Sequence, residues 1–534
     1  MSDKTRSISI LAIIILSYCS FFPLSASSQT SKLSVMIADE SNLPTPVRVR
    51  LIDSNGETAP LPHETIAVMY GQYDKAEGYG FQPDNSFYID GKFSVELSPG
   101  SYTLSLSKGY EYLTQKHDIS IETGKNQTLN YQLKRWINMP ERGWYSADDH
   151  IHIRRSPREN PLILKWVAAE DIHVGALLQM GDFWVTYFAQ YAWGKDGVYR
   201  EEDRLLTSGQ EEPRTHEVGH TISLAAEDFV RFQDEYYLYD HVFDRVHELG
   251  GLTGYAHQGM SFHGYRGMTM DVLQEKVDFL ELLQFCVDGG PLLTDHYYFF
   301  LDLGFKLTAT AGSDFPWCGN GPRFGVEGAK WKSRIGDARF YTYIQDDFSF
   351  DKWKENVKTG HTFVSSGPII NLKINGNIPG DDLNIAQGEE VSISVEAFGH
   401  DEQIPLRNLE IIGHGEVLAS ASADDTGQSS EHLFIKMNKT IDQGIWIAAR
   451  SNAGPAQVAH TTPIYISVDG GGFHNTKTIQ QNLDTCEKYL KEIEEVVKNP
   501  PEGLDTHAWR YKDKIFKRIA DTREIMDALR IKLK

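Results

Sequence analysis

The chain has 534 residues, 40% of them hydrophobic and 11% aromatic, with a formal net charge of −22. That length allows about three or four domains with real cores. The dispersed acidic balance argues against a nucleic-acid partner or an anionic membrane surface. Of four cysteines, Cys286, Cys318 and Cys486 follow the leader, too few and too scattered for a disulfide framework or a Cys-based zinc site.

Lys4 and Arg6 precede an apolar run from about Ile8 to Phe22, which leads into Leu24-Ser-Ala-Ser-Ser-Gln. Residues 1–28 read as a secretory signal peptide cleaved near Ala26 or Ser27. About 15 apolar residues fall short of the ~20 that span a bilayer. An exported protein, periplasmic or extracellular, with no stable transmembrane span after cleavage is therefore expected. Cys19 raises lipidation as an alternative, which the bulky Tyr18 opposes.

Over 29–137, short alternating runs such as Lys32-Leu-Ser-Val-Met-Ile and Val47-Arg-Val-Arg-Leu-Ile, with turns at Ser54-Asn-Gly and Ser98-Pro-Gly, predict a β-sandwich. Phe93 to Ser107, with Leu97-Ser-Pro-Gly-Ser-Tyr-Thr-Leu, resembles carboxypeptidase-regulatory-like domains, which implies an accessory module. Over 138–368, apolar strands alternate with amphipathic stretches, including Ile163 to Glu170 and Met270 to Phe285, the pattern expected of an α/β barrel. Residues 369–469 return to β alternation and predict a second sandwich. Helical spacing on both sides of Asn499-Pro-Pro-Glu-Gly predicts a helical hairpin over 470–534. The expected fold class is thus multidomain α/β plus β.

The chemistry gathers in the third segment. In Trp144-Tyr-Ser-Ala-Asp-Asp-His-Ile-His, strand alternation turns His150 and His152 to one side, half of a metal site. The pair alone is weak, since 19 His in 534 residues give roughly 0.7 His-x-His triplets by chance. Its support is an ordered series downstream: Ser208-Gly-Gln-Glu211, Gly219-His220, Gly254-Tyr-Ala-His257 and Thr310-Ala-Gly-Ser-Asp314. Each sets a ligand-type residue at the end of an apolar or small-residue run, and strand ends in a barrel converge on one face. Glu211 can bridge two cations while imidazoles and Asp314 complete their shells.

This series, with Leu303-Gly-Phe-Lys-Leu-Thr-Ala-Thr-Ala-Gly-Ser-Asp, Arg339-Phe-Tyr-Thr-Tyr and His361-Thr-Phe-Val-Ser-Ser-Gly-Pro, resembles the CehA/McbA-type metallohydrolases of the PHP (polymerase and histidinol phosphatase) superfamily. The resemblance runs from Trp144 to Pro368. It implies a PHP-type distorted (β/α)7 barrel, here flanked by two β-sandwich domains and the helical pair, and hydrolysis by a metal-bound water. It assigns metal binding to His150, His152, Glu211, His220, His257 and Asp314. The chain departs from the wider pattern at Asp314-Phe-Pro, where many relatives have Asp-x-His, at Ile153-Arg-Arg-Ser-Pro, which has no further His, and at Met180-Gly-Asp182-Phe. One or two divalent cations (Mn²⁺, Zn²⁺ or Fe²⁺) are expected rather than three. His173 and Asp182 are substitutes, with His173 the more suited to a structural role.

The expected mechanism places one cation on His150, His152, Glu211 and Asp314 and a second on Glu211, His220 and His257. A small-molecule ester, carbamate, amide or phosphoester is the substrate. Asp314 is a candidate proton acceptor, and Asp148 is expected to orient a ligand His. Arg323, Arg339 and His263 are candidate substrate contacts, with ion pairing the alternative for the arginines. Tyr187, Tyr191, Trp193 and Trp317 suit an aromatic rim or a core equally.

Two other functions compete. His216-Glu217-Val-Gly-His220 fits the His-Glu-x-x-His zinc-peptidase motif, although Pro213, Gly219 and the lack of an apolar stripe oppose the helix it needs. A noncatalytic exported binding protein with a decayed site is the other.

Overall fold

The computed structural model describes residues 30–69, 71, 78–82, 84–257, 262–284, 290–316, 333–499 and 511–532. The segment expected to be a signal peptide, with Cys19, and Cys286, Trp317, Cys318 and Arg323 lie outside them. Among the described residues there are 27 strands and seven α-helices, and none of the helices is long and apolar enough to cross a membrane.

The N-terminal region alternates buried and exposed positions, as in Ser31–Ala38, and so forms half-buried strands. They make a sheet ordered Lys92–Leu97, Ser31–Ala38, Gln127–Gln132 and a four-stranded sheet of Phe87–Asp90, Pro46–Asp53, Gly100–Ser107 and Gln115–Ile121. Leu33, Val35, Val49, Phe87, Phe93 and Leu104 belong to one core cluster between them.

The central region is not a (β/α)7 barrel. Strand Trp144–Ile151 pairs in parallel with Val174–Gly181, and that strand with Arg204–Thr215. Leu252–Tyr255, Phe279–Leu283 and Thr308–Ala311 form a second parallel run. Between the two runs, however, Gly219–Leu224 is antiparallel to both neighbours, and Arg339–Tyr343 is antiparallel to Trp144–Ile151 and to Thr362–Ser365. The reason is connection length. A parallel pair needs a crossover of a dozen or more residues, whereas only residues 216–218, a turn, separate Arg204–Thr215 from Gly219–Leu224. The sheet then continues, because Thr362–Ser365 also pairs with Gln457–Thr461. The result is a large curled, predominantly β assembly with helices packed against it. The stretch from Met270 to Phe285 is likewise not one helix: helix Gly264–Leu273 ends and strand Phe279–Leu283 follows.

Helix Tyr239–Glu248 buries Tyr239, Val242, Phe243 and Val246, the i, i+3, i+4, i+7 stripe of a helix lying on a core. In the C-terminal region Ile369–Ile374, Glu389–Phe398 and His432–Ile441 form a separate three-stranded antiparallel sheet. Helices Ile479–Lys498 and Lys512–Lys532 run antiparallel, joined by Arg523 to Glu487 and Glu494. The pair covers helix Gly264–Leu273: Arg518 bonds Asp271, and Gln274 donates to Thr522 at 2.9 Å.

Candidate metal centre

His150, His152, Glu211, His220, His257 and Asp314 all meet in one buried cluster. A register shift after Asp148 carries the first two residues out of regular pairing, and another between Glu211 and Arg214 re-aims the long strand beside it. His257 (φ 47°) and Asp314 (φ 54°) hold left-handed backbone conformations just past their strands, which non-glycine residues keep only where surroundings impose them. Gly312 permits the approach of the Asp314 segment, because a Cβ there would collide with His150 Cβ and the Asp149 carboxylate.

The ligand atoms face inward. His150 Nε2 and His152 Nε2 lie 3.1 Å apart, and Asp314 Oδ1 lies 3.3 and 3.2 Å from them. Glu211 Oε2 is 3.4 Å from His152 Nε2, and its Oε1 is 3.5 Å from His257 Nε2. His220 Nδ1 lies 2.8 Å from Glu211 Oε1, yet neither atom has a hydrogen-bonding partner of acceptable geometry. Two sets, His150-His152-Asp314 and His150-Glu211-His257, each bring their ligand atoms within 4.8 Å of one another.

The outer atoms of the rings are engaged. His150 Nδ1 meets Glu281 Oε1 at 3.0 Å, and His152 Nδ1 meets the Leu178 carbonyl at 3.2 Å. Both acceptors hold a ring proton on Nδ1, which turns both Nε2 atoms toward each other and the cluster interior. Gln284 Nε2 contacts His257 Nδ1 at 3.0 Å and donates to Asp314 Oδ2 at 2.9 Å. The His257 N–H donates to Glu281 Oε2 at 3.1 Å. Asp148 does not reach an imidazole. It accepts the backbone N–H groups of His150, Ser313 and Gly336 at 3.1, 2.9 and 2.8 Å, tying three segments together beneath the cluster.

Electrostatics follows from crowding carboxylates in a dry site. Burial pushes Asp148 up to about 6 despite its N–H donors. Burial also opposes a charged His150, but Asp314 and Glu281 outweigh it and hold the ring well above its ordinary value. Burial works against a charged Glu211 too, and the Arg214 guanidinium, with Nε at 3.5 Å, leads the attractions that overcome it, so its carboxyl sits well below the usual range. His220, with burial and Arg214 acting together, falls to about 4 and is neutral at physiological pH.

Glu281 and Gln284 are functional neighbours that the sequence pattern does not single out. The signal that could have found Glu281 is an acidic residue inside the buried run Phe279-Leu-Glu-Leu-Leu, and a helical reading of 270–285 hides it. Other candidates lie elsewhere. His173 bonds Ser146 Oγ at 2.9 Å, and Asp182 accepts the N–H groups of Trp184 and Val185 in a turn. Arg339 is buried and donates to the carbonyls of Gly336 and Glu170. Trp193 packs on Phe229. His216-Glu217-Val218 is the turn between antiparallel strands, with His216 exposed. The one-turn helical spacing that the peptidase motif requires is absent there.

No family model and no curated protein matches the chain. Among solved structures, the chain is similar to the sulfur carrier protein SoxY from Chlorobium limicola f thiosulfatophilum (12% identity, 18% of this chain and 79% of that one, TM-score 0.14). A Streptococcal ancillary pilin matches at 16% identity over 23% of this chain and 37% of its own, TM-score 0.15. A variant of BcpA, the major pilin subunit of Bacillus cereus, matches at 6% identity over 82% and 69%, TM-score 0.24. All three scores are too low to bear on fold or function.

Proposed function

We propose that the chain is an exported metal-dependent hydrolase acting on a small-molecule ester, carbamate, amide or phosphoester. One observation carries the reading: the Nε2 atoms of His150 and His152 face each other at 3.1 Å beside Asp314 Oδ1, with both Nδ1 atoms already engaged. Two Nε2 atoms turned inward beside a carboxylate form a donor set that a divalent cation would take up in place of the proton His150 otherwise holds. His150, His152 and Asp314 suit one cation, and Glu211 and His257, converging with His150 and approached by His220 through Glu211, are the donors for a second, in line with the motif resemblance to CehA/McbA-type metallohydrolases. When bound, such cations supply Lewis acidity and an acidified water.

The chain's own residues do the rest. Glu281 and the Leu178 carbonyl fix the tautomers of His150 and His152, and Gln284 orients Asp314 and His257. Asp148 holds the backbone that presents His150, a positioning role rather than a proton transfer. Asp314 is the carboxylate placed to receive a proton from the attacking water. Export is supported by the basic-then-apolar N-terminus, and N-terminal sequencing of protein recovered outside the cytoplasm tests it.

The test of the hydrolase reading is metal content together with turnover. Purified protein is expected to carry stoichiometric divalent metal and to hydrolyse one of a panel of phosphoester, carbamate and ester reporters with Mn²⁺ or Zn²⁺. A folded protein that binds neither metal would support a decayed binding protein instead.

A further inference from the structure

The C-terminal hairpin grips one helix of the central region at both ends. Near the start of Gly264–Leu273, Tyr265 Oη donates to Glu492 Oε2 at 2.8 Å, and Arg266 Nε lies 3.2 Å from the same oxygen. Near its end, Arg518 from the last helix engages Asp271 through Nη2 and brings Nε to 3.1 Å from Asp240 Oδ1 of helix Tyr239–Glu248. Arg518 is 5% exposed and Asp271 is fully buried. Apolar side chains would cover this helix equally well, since a buried ion pair is often no more stabilising than hydrophobic residues in its place. A guanidinium held between two carboxylates adds direction.

Both ends of that helix lead to the same half of the metal centre. Phe262, two residues before it, stacks on His220 with ring centroids 4.0 Å apart and planes 26° apart, and lies 5.8 Å from the His257 ring. Towards the other end, Asp271 Oδ2 accepts the Tyr255 hydroxyl at 2.5 Å. Tyr255 pairs with Thr221 and stands two residues before His257. Between them, Ala256 donates its N–H to the His220 carbonyl at 3.1 Å. Close packing leaves Tyr255 little room: a Cβ on Gly267 would collide with its Oη and the Val218 carbonyl, and one on Gly219 with Gly264 Cα. Arg518 therefore reaches the His257 strand through two side chains, Asp271 and Tyr255. His150 and Asp314 depend on other segments, which Asp148 ties through the N–H groups of His150 and Ser313.

We propose that the helical hairpin belongs to the metal centre, with Arg518 and Glu492 as positioning residues that hold His220 and His257 in place for the second cation. The proposal deepens the hydrolase reading and rests on it for that cation. Released from the hairpin, helix Gly264–Leu273 is free to shift. Phe262 then loses its stack on His220, and Tyr255 loses the acceptor that orients the strand leading to His257. The half of the cluster built on His150, His152 and Asp314 keeps its own ties. A hairpin that merely covered the sheet would, when loosened, weaken both halves together.

The test uses the full chain with Arg518→Met and, separately, Glu492→Ala. In calorimetric titration with Zn²⁺, one equivalent is expected to weaken by about tenfold or more, as for other partners of metal ligands, and the other to stay unchanged. The second readout needs no metal. In chelator, carbethoxylation mapped by mass spectrometry should rise severalfold at His220 and His257 and stay constant at His150 and His152, with exposed His216 as the reference. Equal rises at all four, no rise at any, or equal weakening of both equivalents overturns the proposal. If Arg518→Met does not fold, Glu492→Ala decides by the same patterns. A wild-type chain that binds no Zn²⁺ sinks the hydrolase reading, and one that binds a single equivalent removes the second cation. In either case the labelling pattern still decides whether the hairpin positions His220 and His257.

Discussion

Two of the buried charged clusters among the described residues differ in balance. Where the N-terminal region meets the central sheet, Arg135 bridges Glu111 at 2.6 Å and Asp171 at 2.9 Å, Arg204 reaches Asp171 at 2.8 Å, and Lys108 donates to the carbonyls of Pro46 and Ala168. Each of those carboxylates has a guanidinium. In the candidate metal centre Asp148, Asp149, Glu211, Glu281 and Asp314 are all buried, and the guanidinium paired there is Arg214 with Glu211. A closed ion network needs nothing further and holds domains together. A surplus of carboxylates around inward-facing imidazoles is an imbalance that the proposed cations would offset.

That contrast can be broken at either cluster. The largest effect is expected from Glu211→Ala: loss of metal-dependent hydrolysis by about a thousandfold or more, reduced metal content and an unchanged circular dichroism spectrum. Full turnover in this variant would sink the assignment. Asp171→Asn should do the converse, destabilising the fold by about 3–5 kcal/mol while metal per folded molecule, read by mass spectrometry, stays constant. Metal lost in proportion would mean that the two clusters are one coupled system.

Glu281→Gln sharpens the comparison, since it removes a charge that touches His150 without being a ligand. It should cost about 10–100-fold in metal affinity, measured by competition with a chromophoric chelator. An unaltered affinity would reduce Glu281 to a packing residue.

An effect confined to acid pH concerns His460, buried between the central and C-terminal regions. Its Nδ1 donates to the Thr461 carbonyl and its Nε2 accepts from Tyr298 Oη, both at 2.7 Å. Burial pushes it down to about 3, so it stays neutral in the fold, whereas an unfolded His titrates near 6.5. Its contribution is complete above pH 6.5 and falls by about 1.4 kcal/mol per pH unit as pH drops from there towards 3. Urea unfolding at stepped pH should show a shallower acid slope for His460→Gln, and equal slopes would remove His460 from the account.

The site is most legible in the sequence where chemistry depends on residue type. Each of the six proposed ligands closes an apolar or glycine-flanked run, and the structure brings all six together. Strand direction is not legible in the same way. Runs ending in Glu211 and His220 each read as the end of a barrel strand, although the three-residue turn between their strands permits only a hairpin. The same turn removes the helix from His216-Glu-Val-Gly-His220. Glu281 is hidden because a short apolar segment suits helix and strand alike, and the Gly264–Leu273 helix runs almost into it.

The amino-acid sequence by itself determined the ligand inventory, the strand periodicities at both ends of the chain and the absence of any Cys-based motif, since these depend on local spacing and side-chain chemistry. Tertiary structure alone decided that the central strands join a curled mixed sheet continuous with the C-terminal region. It also decided that Glu281 and Gln284 back the imidazoles, and that Arg518 reaches the His257 strand through Asp271 and Tyr255. Those facts depend on which segments approach across more than a hundred residues, as His150 and Glu281 do at 3.0 Å, and no local pattern encodes such a partner.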